Sequence, residues 1–424
     1  MFKPANIIVG VAAALIISGD ALAEAGAETD AEQLLPTWNR FVDELRDLGP
    51  KMLEKLPPDQ RNDPHTQQEI GRLMLEALAA SSLEAVAPNG DHPMFLPYIN
   101  VVTNILQPNA DTIYKRAVIT PGGTYRLRGH RGSLRIARIG MFGPAATDGT
   151  IRALGYHDLS ALRVNDDGNF DVLLSPAKPA GYSGDWWQLD PGTTALLLRQ
   201  MASDWSKERD PSISIERVDA PATRPRPDAE SLERRLSQVA GVASGNALLL
   251  VDHVAQLRAD GFVNKFKIWD VVANYGGLVG QFYYEAVYEL DDDEALIMES
   301  DYPKTCNYAS LILTNHIFET TDWYNNHSSL NDSQWRVSSD GKLRVVVSAR
   351  DPGVHNWLDT AGYPMGVIQG RWTECSSTPM PSARKVPLSE VVKLLPPDTP
   401  TVTAAEREQV IRERRAQFQQ RRLW

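Results

Sequence analysis

Apolar positions change their period along this chain, and each change predicts a new kind of element. Trp38, Phe41, Leu45 and Leu48 recur at helical spacing, until Gly49-Pro50 interrupts ahead of Met52 to Leu56. A second helix is predicted from Thr66, whose spacing to Glu69 forms a capping box, with Ile70, Leu73, Met74, Leu78 and Leu83 on one stripe. From Tyr98 to about Val218 the pattern shortens to runs bounded by Gly and Pro, which is strand character. Within it, "TYRLRGHRGSLRIARIGMF" (124–142) reads as a hairpin or meander whose arginines form a solvated face. Pro221 to Pro227 is a connector into a long helical region from Ala229 to about Gly261, with Gly241 and Gly245 as candidate kinks. A further helical stretch is expected around Phe266 to Gly276. Strand character then returns from Gly280 to Arg371, where "FYYEAVYEL" alternates and "ASLILTNHIF" has the composition of a buried strand. A last helix begins with a capping box at Thr403 and Glu406 and carries Arg412, Arg414, Arg415, Arg421 and Arg422 in its later turns. Its thin apolar face predicts docking onto the body of the protein in preference to a membrane surface.

The two strand regions share one order of features. Asp167-Gly168 opens a run with a strand ending at Ser175, a Pro/Gly loop, Asp185-Trp186, and a second strand ending near Arg199. Asp340-Gly341 opens another, with Ser348, a Pro/Gly loop, Asn356-Trp357 and Arg371 in the same order. Two β-units of common design follow from this. "NDDGNFD" (165–171) could be part of a calcium loop, but its counterpart "SSDGKLR" has no carboxylate cluster, so the shared element is a hairpin turn.

Composition narrows the class. The chain has 424 residues, 42% hydrophobic and 23% charged, which suits a globular protein with more than one core. A net charge of -11 argues against nucleic acid as a partner. Lys3, an apolar run from Ile7 to Ile17 and Ala21-Leu22-Ala23 before Glu24 form the pattern of a cleavable signal peptide, which predicts a periplasmic protein with no transmembrane span after cleavage near Ala23-Glu24. In an oxidising compartment Cys306 and Cys375 are expected to pair, the alternative being two separate buried thiols. No metal site or cofactor is expected, because neither cysteine has a second ligand at metal spacing and no nucleotide or hydrolase signature occurs.

The candidate chemistry is sparse. Trp186 and Trp357 could wall a ligand, and Arg199 and Arg371 could fork an anionic or carbonyl group, while the structural alternative is a pair of core plugs and loop ties. Asn109, Asp111 and Tyr114 mark a turn entering a strand and could face a cleft. His316 ends the buried strand, and His327 lies near Asp322 and Trp323. Asp111 and His316 are the candidate proton-handling residues.

At these residues the chain resembles the domain of unknown function 1214 family. "NADTIYKRAVITPGGTYRLRGHRG", "WWQLDPGTTALLLRQMASDW" and "ARDPGVHNWLDTAG…RW" are similar to that family's blocks, with Trp187 and Gln188 where a single Trp-Leu is usual and His355 where a Pro is expected. A lesser resemblance, to the domain of unknown function 1254 family, rests on Asn109, Asp111, Thr112 and Tyr114 in an N-x-D-T-x-Y motif. The resemblance implies paired antiparallel sandwiches with helical additions and carries no reaction.

Together these readings predict an α+β, mainly β protein with two related antiparallel, jelly-roll-like sandwich units and helices at the N-terminus, centre and C-terminus. The expected boundaries are a signal peptide (1–23), a helical segment (24–97), a first β-unit (98–220), a linker and helical segment (221–278), a second β-unit (279–400) and a terminal helix (401–424). The expected function is binding of a small-molecule, glycan or lipid-like ligand in a cleft between the units, with hydrolysis or elimination as the chemistry to look for. The alternative is a non-catalytic envelope protein that binds glycans or proteins.

Overall fold

The computed structural model describes residues 36–87, 89–144, 151 and 153–424. The signal-peptide pattern and its cleavage site lie outside the described residues. Among the described residues, two sandwich-like units of nine strands each carry the fold, with helices before, between and after them. In the first unit, β1 (Leu96–Pro97), β2 (Thr112–Val118), β8 (Ala195–Met201), β4 (Ile136–Phe142) and β5 (Ala153–Asp158) form one sheet in that order. Its other sheet runs β7 (Asp185–Gln188), β6 (Asn169–Ser175), β3 (Tyr125–His130), β9 (Ser212–Arg217). The second unit repeats both orders. β10 (Lys267–Ile268), β11 (Gln281–Glu289), β17 (Met365–Thr373), β13 (Tyr308–Leu313) and β14 (Ser329–Asn331) form one sheet. β16 (Trp357–Asp359), β15 (Lys342–Ser348), β12 (Glu294–Asp301) and β18 (Ser382–Pro387) form the other.

The duplication extends to individual hydrogen bonds. Gly168 and Gly341 take positive φ of 78° and 79° in matching turns, each donating its N–H to the carbonyl three residues back. The indole N–H groups of Trp186 and Trp357 donate to Ser175 Oγ and Ser348 Oγ, both at 2.9 Å. Asp185 and Asn356 accept from the backbone N–H of Arg163 and Arg336. Each pair ties the parallel strand (β7 or β16) to the loop and strand before it.

Strand alternation decides which side chains enter each core. In β8, Leu196 and Leu198 pack inside the first sandwich while Leu197 and Arg199 point the other way. In β17, Ile368 and Trp372 fill the second sandwich while Arg371 points outward. The two five-stranded sheets therefore turn their outer faces toward each other. Contacts between the units include the Arg135–Asp332 and Arg138–Glu374 ion pairs and a hydrogen bond from the Tyr308 hydroxyl to Asp111.

Several local readings need correction. β3 and β4 are not a hairpin: β3 pairs with β6 and β9, β4 with β5 and β8, so the connection crosses from one sheet to the other. Both strands alternate cleanly, and local pattern does not reveal which sheet each joins. The second helix begins at Pro64 with Asp63 as its cap, because proline suits the first turn and the Asp63 carboxylate accepts from Thr66 N at 2.9 Å. The central helical region breaks at Leu250 to Asp252 instead of at its glycines, giving helices Ala229–Leu249 and His253–Ala259. The stretch around Phe266 holds the short strand β10 and only one turn of helix, Val271–Tyr275. Cys306 and Cys375 are joined as a disulfide, of the two readings the sequence left open. No helix among the described residues is long and apolar enough to cross a membrane.

The terminal helix, Ala404–Gln419, has the reciprocal Thr403–Glu406 capping box. Arg407, Arg414 and, just beyond it, Arg421 are spaced by seven residues and share a face. Arg407 binds Asp351 and the Val354 carbonyl of the second unit. Arg414 donates to the Trp323 carbonyl and Ser329 Oγ. Arg421 pairs with Asp210 and donates to the Asp111 and Gln200 carbonyls of the first. The helix thus spans both units.

Candidate functional site

Between the two outward-facing sheets lies a cavity of about 380 Å³. β2 contributes Tyr114 and Arg116, β8 Leu197 and Arg199, the end of β4 Phe142, β11 Tyr283 and β17 Arg371. Further wall comes from Tyr98 and Ile99 after β1, Trp269, Val271, Tyr275 and Gly277 after β10, Leu106 and Gln107, Thr194 before β8, and Leu249 and Leu250 at the end of the central helix. Its size and mainly apolar and aromatic walls suit a small organic molecule.

The polar groups in this wall are mostly donors. Arg199 is 9% exposed and Arg371 4%, and neither forms an ion pair among the described residues. Arg199 Nη2 donates to the Gly276 carbonyl at 2.9 Å, and its guanidinium stands 5.7 Å and 5.9 Å from the Phe142 and Tyr156 rings. Gly140 leaves room for it, since a Cβ there would lie 3.3 Å from Arg199 Nη1 and 2.8 Å from the Phe142 ring. Arg371 donates to Gln369 Oε1 and lies 5.5 Å from the Tyr283 ring centre. Three buried polar atoms of lining residues have no hydrogen-bond partner: Arg199 Nη1, Arg371 Nε and Gln107 Nε2. All three are donors. The Tyr114 hydroxyl accepts from Asn109 N–H at 3.4 Å, which leaves its own proton to donate.

Backbone strain marks the same wall. Leu106 and Gln107 are consecutive non-glycine residues at φ of 58° and 55°. That conformation costs on the order of 1–2 kcal/mol per residue and gathers at functional sites. Burial raises the phenol of Tyr283 above its ordinary value, and the guanidiniums of Arg371 and Arg199 pull it partway back. Burial likewise raises Tyr98, with Arg116 opposing. Both central arginines therefore act on one phenol.

The other sequence candidates lie elsewhere. Asp111 is buried and accepts from Trp205 Nε1 at 2.9 Å, Tyr308 hydroxyl at 2.6 Å and Asn331 Nδ2 at 2.8 Å. Burial raises its carboxyl, and these hydrogen bonds oppose the shift. It is a saturated strut between the units. Asn109 donates to Thr112 Oγ1 and the Tyr308 hydroxyl in the same network. His316 Nε2 meets Thr66 Oγ1 at 2.8 Å under the N-terminal helices, and burial lowers its pKa. Asp111 and His316 are thus apart from each other and from the cavity lining. Trp186 and Trp357 hold their own loops, with Trp357 packed among Val346, Val354 and Val386. Of the ligand-binding candidates, Arg199, Arg371 and Tyr114 share the cavity. Trp269, Tyr283, Tyr98 and Gln107 went unnoticed in the sequence. Tyr283 could have been found from the repeat, because it faces Arg371 across the ladder as Tyr114 faces Arg199.

Fold and site define a duplicated β-sandwich protein with an arginine-bearing cavity between its halves. A family model described as "Protein of unknown function (DUF1214)" matches residues 144–204. An uncharacterised protein from Burkholderia cenocepacia has the same fold, at 30% identity and a TM-score of 0.77, over 84% of this chain and 99% of its own. The chain belongs to the domain of unknown function 1214 family. A protein from Vibrio parahaemolyticus is also similar, at 13% identity and a TM-score of 0.43, over 74% of this chain and 99% of its own. No curated protein matches the chain.

Proposed function

We propose that this is an exported protein that binds a small organic ligand in the cavity between its two β-units without transforming it. Export rests on the charged, apolar and small-residue pattern of the first 23 residues. The observation that carries the binding reading is the make-up of the lining. Among the described residues it contains aromatic and aliphatic walls, arginines, tyrosines, a threonine and a glutamine, and no carboxylate, histidine, cysteine or serine. Its hydroxyls are those of tyrosines and of Thr194, which donates to the Phe142 carbonyl at 3.3 Å, and no carboxylate or imidazole lies among the lining residues to activate them. Hydrolysis or elimination loses its support here, because Asp111 and His316 are committed to partners outside the cavity.

The test is a thermal-shift screen of the chain from Glu24 against sugars, aromatic acids, sterols and lipids, with Leu197→Trp as the control that fills the cavity. Stabilisation by at least one class, lost in Leu197→Trp, is expected. Stabilisation that survives Leu197→Trp would remove the cavity from the proposal.

A further inference from the structure

If the cavity is a ligand site, as proposed above, the two uncompensated guanidiniums in its lining specify what enters. The three buried lining atoms without a partner are all N–H donors: Arg199 Nη1, Arg371 Nε and Gln107 Nε2. Among the described residues, no lining residue has a buried oxygen without any partner. Two guanidinium charges, 9% and 4% exposed, have no counter-charge within ion-pair distance among the described residues. A buried cation without a partner is costly, and so is each unmade hydrogen bond. A sugar or an amide would bring its own donors and leave them facing donors. A sterol or hydrocarbon would leave both charges desolvated. Only a group that accepts and carries negative charge satisfies the set.

We infer that the ligand is an organic oxyanion: an acceptor-only head group held by Arg199 and Arg371, on a compact apolar or aromatic body lying against Trp269 and Leu197. The geometry behind this is the repeat. Arg199 and Arg371 come from matching positions on β8 and β17, and each lies opposite a tyrosine, Tyr114 or Tyr283. The pair therefore shares one cavity only through the apposition of the two units. Trp269 stands edge-on to Tyr283 at 6.4 Å and backs onto Phe318 at 5.3 Å, which fixes an aromatic wall beside the donors.

The experiment uses five compounds with one body: 2-naphthoate, 2-naphthalenesulfonate, 2-naphthyl phosphate, and the neutral 2-naphthamide and 2-naphthalenemethanol. Binding to the full mature chain is followed by titration calorimetry and thermal shift. At least one anion is expected to bind roughly tenfold or more tightly than both neutral compounds, as charge-assisted hydrogen bonds would give. The best anion identifies the head group as carboxylate, sulfonate or phosphate. In Arg199→Met and Arg371→Met that preference is expected to vanish while the apo thermal transition shows the fold intact, and Arg371→Lys is expected to keep part of it. Anions and neutral compounds binding equally would overturn the oxyanion class and leave the ligand-binding reading standing. No binding by any of the five at millimolar concentration would overturn the oxyanion on an aromatic body, and the broader screen above decides the ligand-binding reading separately.

Discussion

Arg199 and Arg371 are structural counterparts: each sits on the middle strand of its five-stranded sheet, directly across the ladder from a tyrosine, Tyr114 or Tyr283. What duplication made identical, the surroundings have made different. Arg199 is tied to a backbone carbonyl of the segment joining the units, and Arg371 to Gln369 on its own strand. A scaffold repeat alone explains two arginines on outward faces. It does not explain why both stay without a carboxylate once they are buried.

The first prediction follows from that cost. An arginine kept for a ligand destabilises the empty protein, since its charge and an unmade hydrogen bond are buried. Arg371→Met, which keeps length and packing without charge, is expected to raise the stability of the ligand-free protein by about 1–3 kcal/mol. Urea unfolding of the apo protein measures it. A loss of stability of that size would mean that Arg371 serves the fold, and would argue against a binding role.

The two tryptophans of the repeat give a paired prediction. Both make the same indole-to-serine hydrogen bond, yet Trp357 is 5% exposed and has Arg407 over its ring at 5.1 Å, whereas Trp186 is half-buried. Trp357→Ala is expected to cost about 3–5 kcal/mol, and Trp186→Ala clearly less because it opens a smaller cavity. Ligand affinity of Trp186→Ala should equal that of the parent chain, as Trp186 does not line the cavity. Denaturant curves and one titration decide both points.

How far the sequence spoke depends on how far apart the partners are. The DG turns, the Ser–Trp ties and the Asp185 and Asn356 side chains close over spans of some twenty residues or fewer, so their repetition is visible in the string. The outward arginines were visible too, as strand-end repeats. Asp111 and His316 looked reactive because their partners lie 197 and 250 residues away, in Tyr308 and Thr66. Once those partners arrive, the groups are saturated. Trp269 was missed for another reason: it is the counterpart of Tyr98, each donating its N–H to the carbonyl of the tyrosine opposite an outward arginine at 3.1 Å, but the two-residue strands before them carry no shared sequence signal. The crossing of β3 and β4 to different sheets likewise depends on long-range pairing that alternation cannot specify.

A pH prediction concerns His327. Its Nδ1 lies 2.6 Å from the Trp357 carbonyl, so that nitrogen donates and Nε2 is left to accept from Arg407 Nη1 at 3.3 Å. Burial first, then Arg414 and Arg407, holds its pKa well below the ordinary 6.5. The unfolded chain therefore binds a proton below pH 6.5 that the folded chain refuses. Stability from this group is fully present above the unfolded value and is lost as pH falls below it. His327→Gln, which keeps a donor and an acceptor without titrating, is expected to flatten the fall in melting temperature between pH 7 and pH 5. An unchanged slope would place the acid sensitivity in other groups.

The last prediction tests the terminal helix as a clamp. Arg421 and Asp210 form an ion pair with both side chains 4% exposed, and the same guanidinium holds the carbonyls of Asp111 and Gln200 at 2.7 Å and 2.9 Å. Replacing the pair by apolar residues can be nearly neutral, but removing one member strands the other charge. Arg421→Met alone is expected to cost about 3–5 kcal/mol by that rule. Asp210→Leu alone should cost less, because the guanidinium keeps its two carbonyls. The double variant should be more stable than Arg421→Met, giving a coupling energy of the sign a buried pair requires. Because the helix bridges both units through Arg407, Arg414 and Arg421, Arg421→Met should also open the chain to proteolysis near Gln419 before the sandwiches unfold. Additive single costs, or cleavage no earlier than global unfolding, would reduce the helix to an appendage of one unit.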